Sequence, residues 1–230
     1  DFVLISKQKY EVEKFIKKKL SRIKNIYFYG KNYRIKKLNN DKFEFYFDKE
    51  KKILNQPQLN GFHQLENASV ALSFSKIMIQ KKLKMNFKKI NNAIKKTSWP
   101  GRLEIIAYNG KKIILDGSHN IDGAKKLNEF LKIKQIKPIV IFGMLNNKKI
   151  DIFLNIIKNQ IVKILAIQIP NEKNAFKTNE IGKKCSALEI NYSKIKNINE
   201  VLKYIRKSDQ KIFLITGSLY LVGKIRKKFL

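Results

Sequence analysis

The chain has one cysteine, Cys185, in 230 residues. A single thiol excludes an internal disulfide framework and any zinc site built from paired cysteines. Histidine is nearly as scarce. His63 and His119 are too few for a zinc site without carboxylates, and no HExxH spacing occurs. No run of eighteen apolar residues is present, which argues against a membrane-spanning helix and predicts no membrane partner. The opening residues, DFVLISKQKYEVEKF, lack both an initiator methionine and the basic, apolar, small-residue order of a secretory signal. Together these absences predict a cytoplasmic chain that begins partway through a longer one.

Arginine is the next scarcity. The chain carries 50 basic residues against 18 acidic ones, a net charge of +32, yet only Arg22, Arg34, Arg102, Arg206 and Arg226 are arginines. A net charge of this size ordinarily suggests nucleic acid. Base edges and paired phosphate oxygens, however, are read mainly by arginine. Lysine, isoleucine, asparagine and phenylalanine share A/T-rich codons, so the charge reads as compositional bias over a solvated surface. No specific nucleic-acid partner is expected, although the charge would draw in an anionic small molecule. The chain is 43% hydrophobic, enough to bury a core.

Three familiar nucleotide and nucleophile motifs are also missing. Neither GxGxxG nor GxSxG occurs. Gly217-Ser-Leu-Tyr-Leu-Val-Gly223-Lys224 mimics a phosphate loop, but it has five residues between the glycines and Ile225 where a magnesium-binding hydroxyl belongs. It reads as a helix start capped by Ser218. Cys185 falls in the helical stretch NEIGKKCSALEI and reads as packing.

What is present has two rhythms. In the first part, FVLIS reads as a buried strand, and Val12, Phe15, Ile16 and Leu20 mark one face of a helix. NIYFYG, NYRIKKL and KFEFYF, with a turn at Asn39-Asn40-Asp41, suggest a small antiparallel meander. In GFHQLENASVALSFSKIMI, residues Leu65, Ala68, Leu72, Ser75 and Ile79 fall at helical spacing, and a second helix spans about Phe87 to Ile94. Trp99-Pro100-Gly101 then breaks the chain. Beyond it come the strands KKIILD, PIVIFG, VKILAIQI and KIFLIT. Helices are predicted near Gly123–Leu131, Ile150–Lys158, Thr178–Cys185, Ile198–Ile205 and Leu219–Lys228. Apolar strands alternating with helices imply an α/β fold with a mainly parallel sheet covered on both faces. The predicted domains are 1–98 and 99–230.

In such a sheet, ligands meet the carboxyl ends of the strands. Those ends read Asp116-Gly117-Ser118-His119-Asn120, Gly143-Met144-Leu145-Asn146 and Thr216-Gly217-Ser218. Asp116 could hold ribose hydroxyls or an ammonium, and His119 could donate to a carboxylate or phosphate. The same letters also suit an Asp-Gly turn with Asn120 or Asp122 capping a helix.

Taken as a set and in order, GFHQLENASVAL, WPGRLEII, ILDGSHN, IFGML and LITGSLYLVG resemble the folylpolyglutamate synthase/dihydrofolate synthase family of the Mur ligase superfamily. The resemblance implies the tail of a Mur-ligase-type central ATPase domain over 1–98. After it would come a Rossmann-like glutamate-ligase domain over 99–230. It implies ATP-dependent addition of L-glutamate to dihydropteroate or folates through an acyl phosphate, with magnesium, in a protein that is monomeric at full length. It casts Asn67 as the amide that reads adenine and Arg102 as the residue that reaches the ATP phosphates from the hinge. Asp116 would lie near the ribose or phosphate end, and His119 would face the reaction centre. There are departures: Ile121 stands where the family often has proline, and Asn147-Lys148-Lys149 keeps only the lysine of a D-K-D triplet. The family's phosphate loop, magnesium ligands, carbamylated lysine and most pterin-binding residues are expected upstream of Asp1, so no metal ligand is assigned here and the 230 residues alone are expected to be inactive. The alternatives are another Mur-type amino-acid ligase, or a non-catalytic basic module that binds nucleotide or nucleic acid.

Overall fold

The computed structural model describes residues 1–39 and 41–230; Asn40, at the centre of the expected Asn39-Asn40-Asp41 turn, lies outside the described residues. The chain divides into two compact units, Asp1–Ser98 and Trp99–Leu230.

The first unit begins with strand β1 (Val3–Ile5), helix α1 (Tyr10–Lys19) and strand β2 (Ile26–Phe28), and β2 pairs parallel with β1. NIYFYG therefore does not open the meander expected from its aromatic alternation. The meander is β3 (Tyr33–Lys37), β4 (Lys42–Phe47) and β5 (Glu50–Asn55), all antiparallel. Its inner face shows the period of two that buries one side of a sheet. Phe43, Phe45 and Phe47 alternate along β4 and pack with Tyr33, Ile35 and Leu54. This face meets α2 (Phe62–Gln80) through Leu65, Leu72 and Ile77, and α3 (Phe87–Lys96) adds Ile94. The small residues of α2 let it pack closely. Ser69 and Ser73 are fully buried, and their hydroxyls donate back to the Glu66 and Ser69 carbonyls.

The second unit is a six-stranded sheet in the order β10-β9-β8-β11-β7-β6. Its elements run β6 (Glu104–Tyr108), β7 (Lys111–Leu115), α4 (Ile121–Ile133), β8 (Ile139–Phe142), α5 (Ile150–Ile157) and β9 (Lys163–Ala166). They continue through α6 (Thr178–Ala187), β10 (Tyr192–Lys194), α7 (Ile198–Lys207), β11 (Ile212–Thr216) and α8 (Leu219–Arg226). All pairings are parallel except β6 with β7. That hairpin turns at Asn109 and Gly110, both at positive φ (47° and 70°), the pairing a tight two-residue hairpin prefers. Three strands go beyond those read from sequence: β5 in the first unit, and β6 and β10 here. β6 buries none of its residues fully, and β10 has only three residues, so neither has the apolar run of a central strand.

The central strands are buried on both sides. Ile114, Val140, Phe142, Ile164 and Leu214 point to one core with α4, α5 and α6. Ile113, Leu115, Ile141, Phe213 and Ile215 point to the other, with α7 and α8. Burial on both faces is why these strands read as continuous hydrophobic runs. Cys185 is completely buried in the first of these cores, and burial pushes its thiol up to about 11, away from the reactive thiolate.

Candidate functional site

The sheet order places the candidate site. β7 and β11 are neighbours, yet α4 leaves β7 on one face and α8 leaves β11 on the other. Such a reversal opens a crevice at the carboxyl ends of the two strands. Its walls are the loop Asp116–Asn120 and the loop Thr216–Ser218. The Gly217 N–H donates to the Ser118 carbonyl (3.1 Å), so the loops are bonded to each other. Asn120 caps α4 by accepting from the Gly123 N–H (2.8 Å), and Ser218 caps α8 by accepting from Tyr220 (3.1 Å). Both caps match the helix-capping turn that these letters also suit, and they place the N-termini of α4 and α8 just beyond the carboxyl ends of β7 and β11.

Asp116 is 4% exposed, and each of its oxygens is engaged. Oδ1 accepts the Ser118 N–H (3.0 Å) and Oδ2 accepts the Leu103 N–H (3.1 Å). Burial raises its pKa, and the bonds from Ser118 and Leu103 and the charge of Arg102 oppose that rise. Asp116 therefore ties the loop after β7 to the segment before β6, and it organises the crevice from beneath.

That segment is Trp99-Pro100-Gly101-Arg102-Leu103. Gly101 and Leu103 both have positive φ, 72° and 50°. For a leucine this conformation costs on the order of 1–3 kcal/mol, and it persists only where the surroundings hold it. Here Leu103 is buried in the core and bonded to Asp116, while the Gly101 carbonyl accepts the Gly117 N–H (2.8 Å). Between them, Arg102 uses its backbone N–H on Trp99 (3.2 Å). Its guanidinium makes no hydrogen bond or ion pair with the described residues. A partly exposed, unpaired guanidinium on a rigid loop suits an anionic ligand.

His119 is partly buried, and its Nδ1 lies 2.8 Å from the Gly117 carbonyl. A carbonyl only accepts, so Nδ1 carries a proton, and the tautomer this selects leaves Nε2 as an acceptor. Donation to a carboxylate or phosphate, as the sequence suggested, then requires the imidazolium.

Asn67 belongs to the first unit. It is exposed on α2, its amide donates to Gln64 Oε1 (3.1 Å), and it lines an open cavity of about 1200 Å³ with Leu4, Val70 and Phe74. Apolar walls, a half-exposed ring and one amide are the ingredients of a purine site, in a space much larger than one base.

Residues 102–228 match the family model described as dihydrofolate synthetase, C-terminal domain. The chain belongs to the folylpolyglutamate synthase/dihydrofolate synthase family. Among curated relatives, the dihydrofolate synthase/folylpolyglutamate synthase of Bacillus subtilis is 30% identical over 194 residues, covering 80% of this chain and 44% of that protein. Among solved structures, the folylpolyglutamate synthase of Thermotoga maritima aligns with a TM-score of 0.80 and 25% identity, over 99% of this chain and 54% of that one. The bifunctional folylpolyglutamate synthase/dihydrofolate synthase of Yersinia pestis, complexed with AMPPNP and a manganese ion, shares the fold. It aligns with a TM-score of 0.77 at 17% identity, over 94% of this chain and 50% of that one. The chain thus spans about half the length of these family members.

Within this family frame, one pair at the site was not read from the sequence. Glu104, the residue after the strained leucine, forms a forked ion pair with Arg226 at the end of α8. The signal was available: Arg226 is another arginine in a chain that otherwise uses lysine.

Proposed function

We propose that these residues belong to an ATP-dependent ligase that joins the amine of L-glutamate to the carboxylate of dihydropteroate or a folate. On this reading, 1–98 is the C-terminal part of an ATPase domain and 99–230 the glutamate-ligase domain. Family membership supports this reaction class. The observation that carries the reading is the unpaired Arg102 guanidinium, held on a strained loop that is hydrogen-bonded to the switch point through Asp116 and Gly117.

The residues fit an anionic nucleotide. Arg102 offers two parallel donors to phosphate oxygens, and the N-termini of α4 and α8 add favourable partial charge. In the first unit, taken by itself, Asn67 carries the paired donor and acceptor that the edge of an adenine would need. Asp116 holds the loops, and His119, with its proton fixed on Nδ1, offers Nε2 to the ammonium of the incoming glutamate or takes its proton. ATP, when bound, supplies the phosphoryl group that makes the acceptor carboxylate electrophilic. The net charge of +32 favours the approach of all these anionic substrates.

No metal ligand is assigned among these residues. Among the described residues no three His, Cys, Asp or Glu side chains gather as ligands would.

The test is turnover of a protein that contains these residues together with a phosphate loop. Glutamate addition to dihydropteroate or a folate should then depend on ATP. Arg102→Lys should lower it by about ten- to a hundredfold, the loss expected for one charge-assisted bond, with the circular dichroism spectrum unchanged. Unchanged turnover would return Arg102 to a linker role. The 230 residues alone should show no glutamate addition, and detecting it would overturn that part of the reading.

A further inference from the structure

Of the five arginines, Arg226 makes the forked contact among the described residues. Its Nε reaches Glu104 Oε2 at 2.9 Å and Oε1 at 3.1 Å, and its Nη2 reaches Oε1 at 2.9 Å. The pair is partly buried, with side-chain exposures of 28% and 21%. Pairs this exposed contribute little to stability, so stability alone gives weak grounds for an arginine where lysine is the rule. Geometry gives better grounds. Glu104 Oε2 also accepts the Gly101 N–H at 2.8 Å, so the carboxylate must lie in one plane and one orientation. A planar guanidinium gripping both oxygens sets that plane, whereas a lysine ammonium is a point charge that leaves it free to rotate.

The consequence falls on Arg102. On its amino side, Gly101 is fixed twice, through its N–H to Glu104 and its carbonyl to Gly117. On its carboxyl side, Leu103 is fixed by Asp116. The backbone N–H groups of residues 101, 102 and 103 are all committed, while the Arg102 guanidinium bonds to none of the described residues. The loop thus resembles a mount whose purpose is to aim one side chain.

We propose that Glu104 and Arg226 are positioning residues, their forked pair holding the Gly101 turn and so fixing the direction in which Arg102 is presented. The proposal rests on the reading of Arg102 as an anion-gripping residue.

The experiment uses the 230-residue chain with Glu104→Gln, Arg226→Lys and Arg102→Lys, singly and in pairs. The first readout is amide exchange at Gly101 and Leu103. A second is the fluorescence anisotropy of Trp99, the only tryptophan, which is 63% exposed and lies two residues before the turn. Both Glu104→Gln and Arg226→Lys should speed exchange at these amides by about tenfold and lower the anisotropy, while exchange in β7 and β11 stays unchanged. The third readout is ADP affinity by calorimetry. Glu104→Gln should weaken it by about three- to tenfold, and adding Glu104→Gln to Arg102→Lys should weaken it no further, because both act through one guanidinium. Unchanged exchange in both loop variants overturns the proposal, and so does an additive loss of affinity. If the unaltered chain binds no ADP, the phosphate reading of Arg102 loses its support in this chain, and the exchange and anisotropy results alone decide the positioning role.

Discussion

The two units hold themselves together differently. In 99–230, the strands β7, β8 and β11 bury isoleucine, leucine, valine and phenylalanine on both faces, and most of these side chains have no exposed surface. In 1–98, the meander and α2 form a core, but the parallel pair beside them is half open. Every residue of β1 is only partly buried, and no residue of α1 is buried. Tyr10 is 74% exposed, Phe15 60% and Phe74 48%. Parallel strands are rarely stable without cover on both faces, and a two-stranded sheet is marginal alone. The lesson is local. The antiparallel part of the first unit buries its own core, and the parallel part does not.

Four measurements test this contrast. The largest effect should come from Leu214→Ala in the central strand β11, which should cost about 2–5 kcal/mol in a denaturant titration. The matching truncation Phe15→Ala in the first unit should cost under about 0.5 kcal/mol. Comparable losses would mean that α1 is covered in solution.

Next is Gly117→Ala. A Cβ there would overlap the Leu219 side chain, so the change should cost about 1–3 kcal/mol, and Leu219→Ala should relieve much of it. A third comparison uses equivalent caps. Asn86 accepts from Lys88 at the start of α3, and Asn120 accepts from Gly123 at the start of α4. Each asparagine-to-alanine change should cost about 1 kcal/mol. Only the first should raise exchange throughout its helix, because α3 buries Ile94 alone, whereas α4 buries Ala124, Leu127, Phe130 and Leu131.

The smallest effect is a pH dependence. Bonding to Arg226, then to the Gly101 N–H, holds the Glu104 carboxyl below its ordinary 4.5. The unfolded chain therefore binds this proton more readily. The contribution of Glu104 is fully present above about pH 4.5 and fades as pH falls through the lower folded value. Glu104→Gln should therefore lower stability at neutral pH by under about 1 kcal/mol, and the difference from the unaltered chain should vanish as pH falls through that lower value.

Much of the second unit was legible because burial on both faces writes a plain text. KKIILD, PIVIFG, VKILAIQI and KIFLIT each contain a strand, and the five helices lie where their periodicity put them. Edge strands were not legible. EIIAY is half-buried and directly follows the Trp-Pro-Gly-Arg turn, so its pairing through Asn109-Gly110 was hidden behind a stretch that read as a linker. NIYFYG misled for a different reason. Alternation specifies a strand but not its partner, and Ile26–Phe28 pairs with Val3–Ile5 across the whole of α1.

The candidate residues show the same division. Asp116 and His119 could be found because they end a strand, and Arg102 because it is an arginine among lysines. The clamp on Arg102 joins positions 122 residues apart, a distance that no local pattern spans. The opposed tasks of the two histidine nitrogens depend on a carbonyl two residues away, which sequence names but does not orient.

The last helix has a consequence for how the sequence can change in length. Leu219, at the start of α8, fills the space over Gly117, and Arg226, at its end, grips Glu104. Seven residues separate them, which in an α-helix is within roughly 20° of two complete turns, so both project from nearly the same side. Inserting or deleting one residue between them would swing Arg226 about 100° away from Glu104 while Leu219 stayed in place. Helix α8 is thus a ruler whose length is set at both ends. Among the elements of the second unit it should tolerate substitution at its exposed positions and no change at all in length.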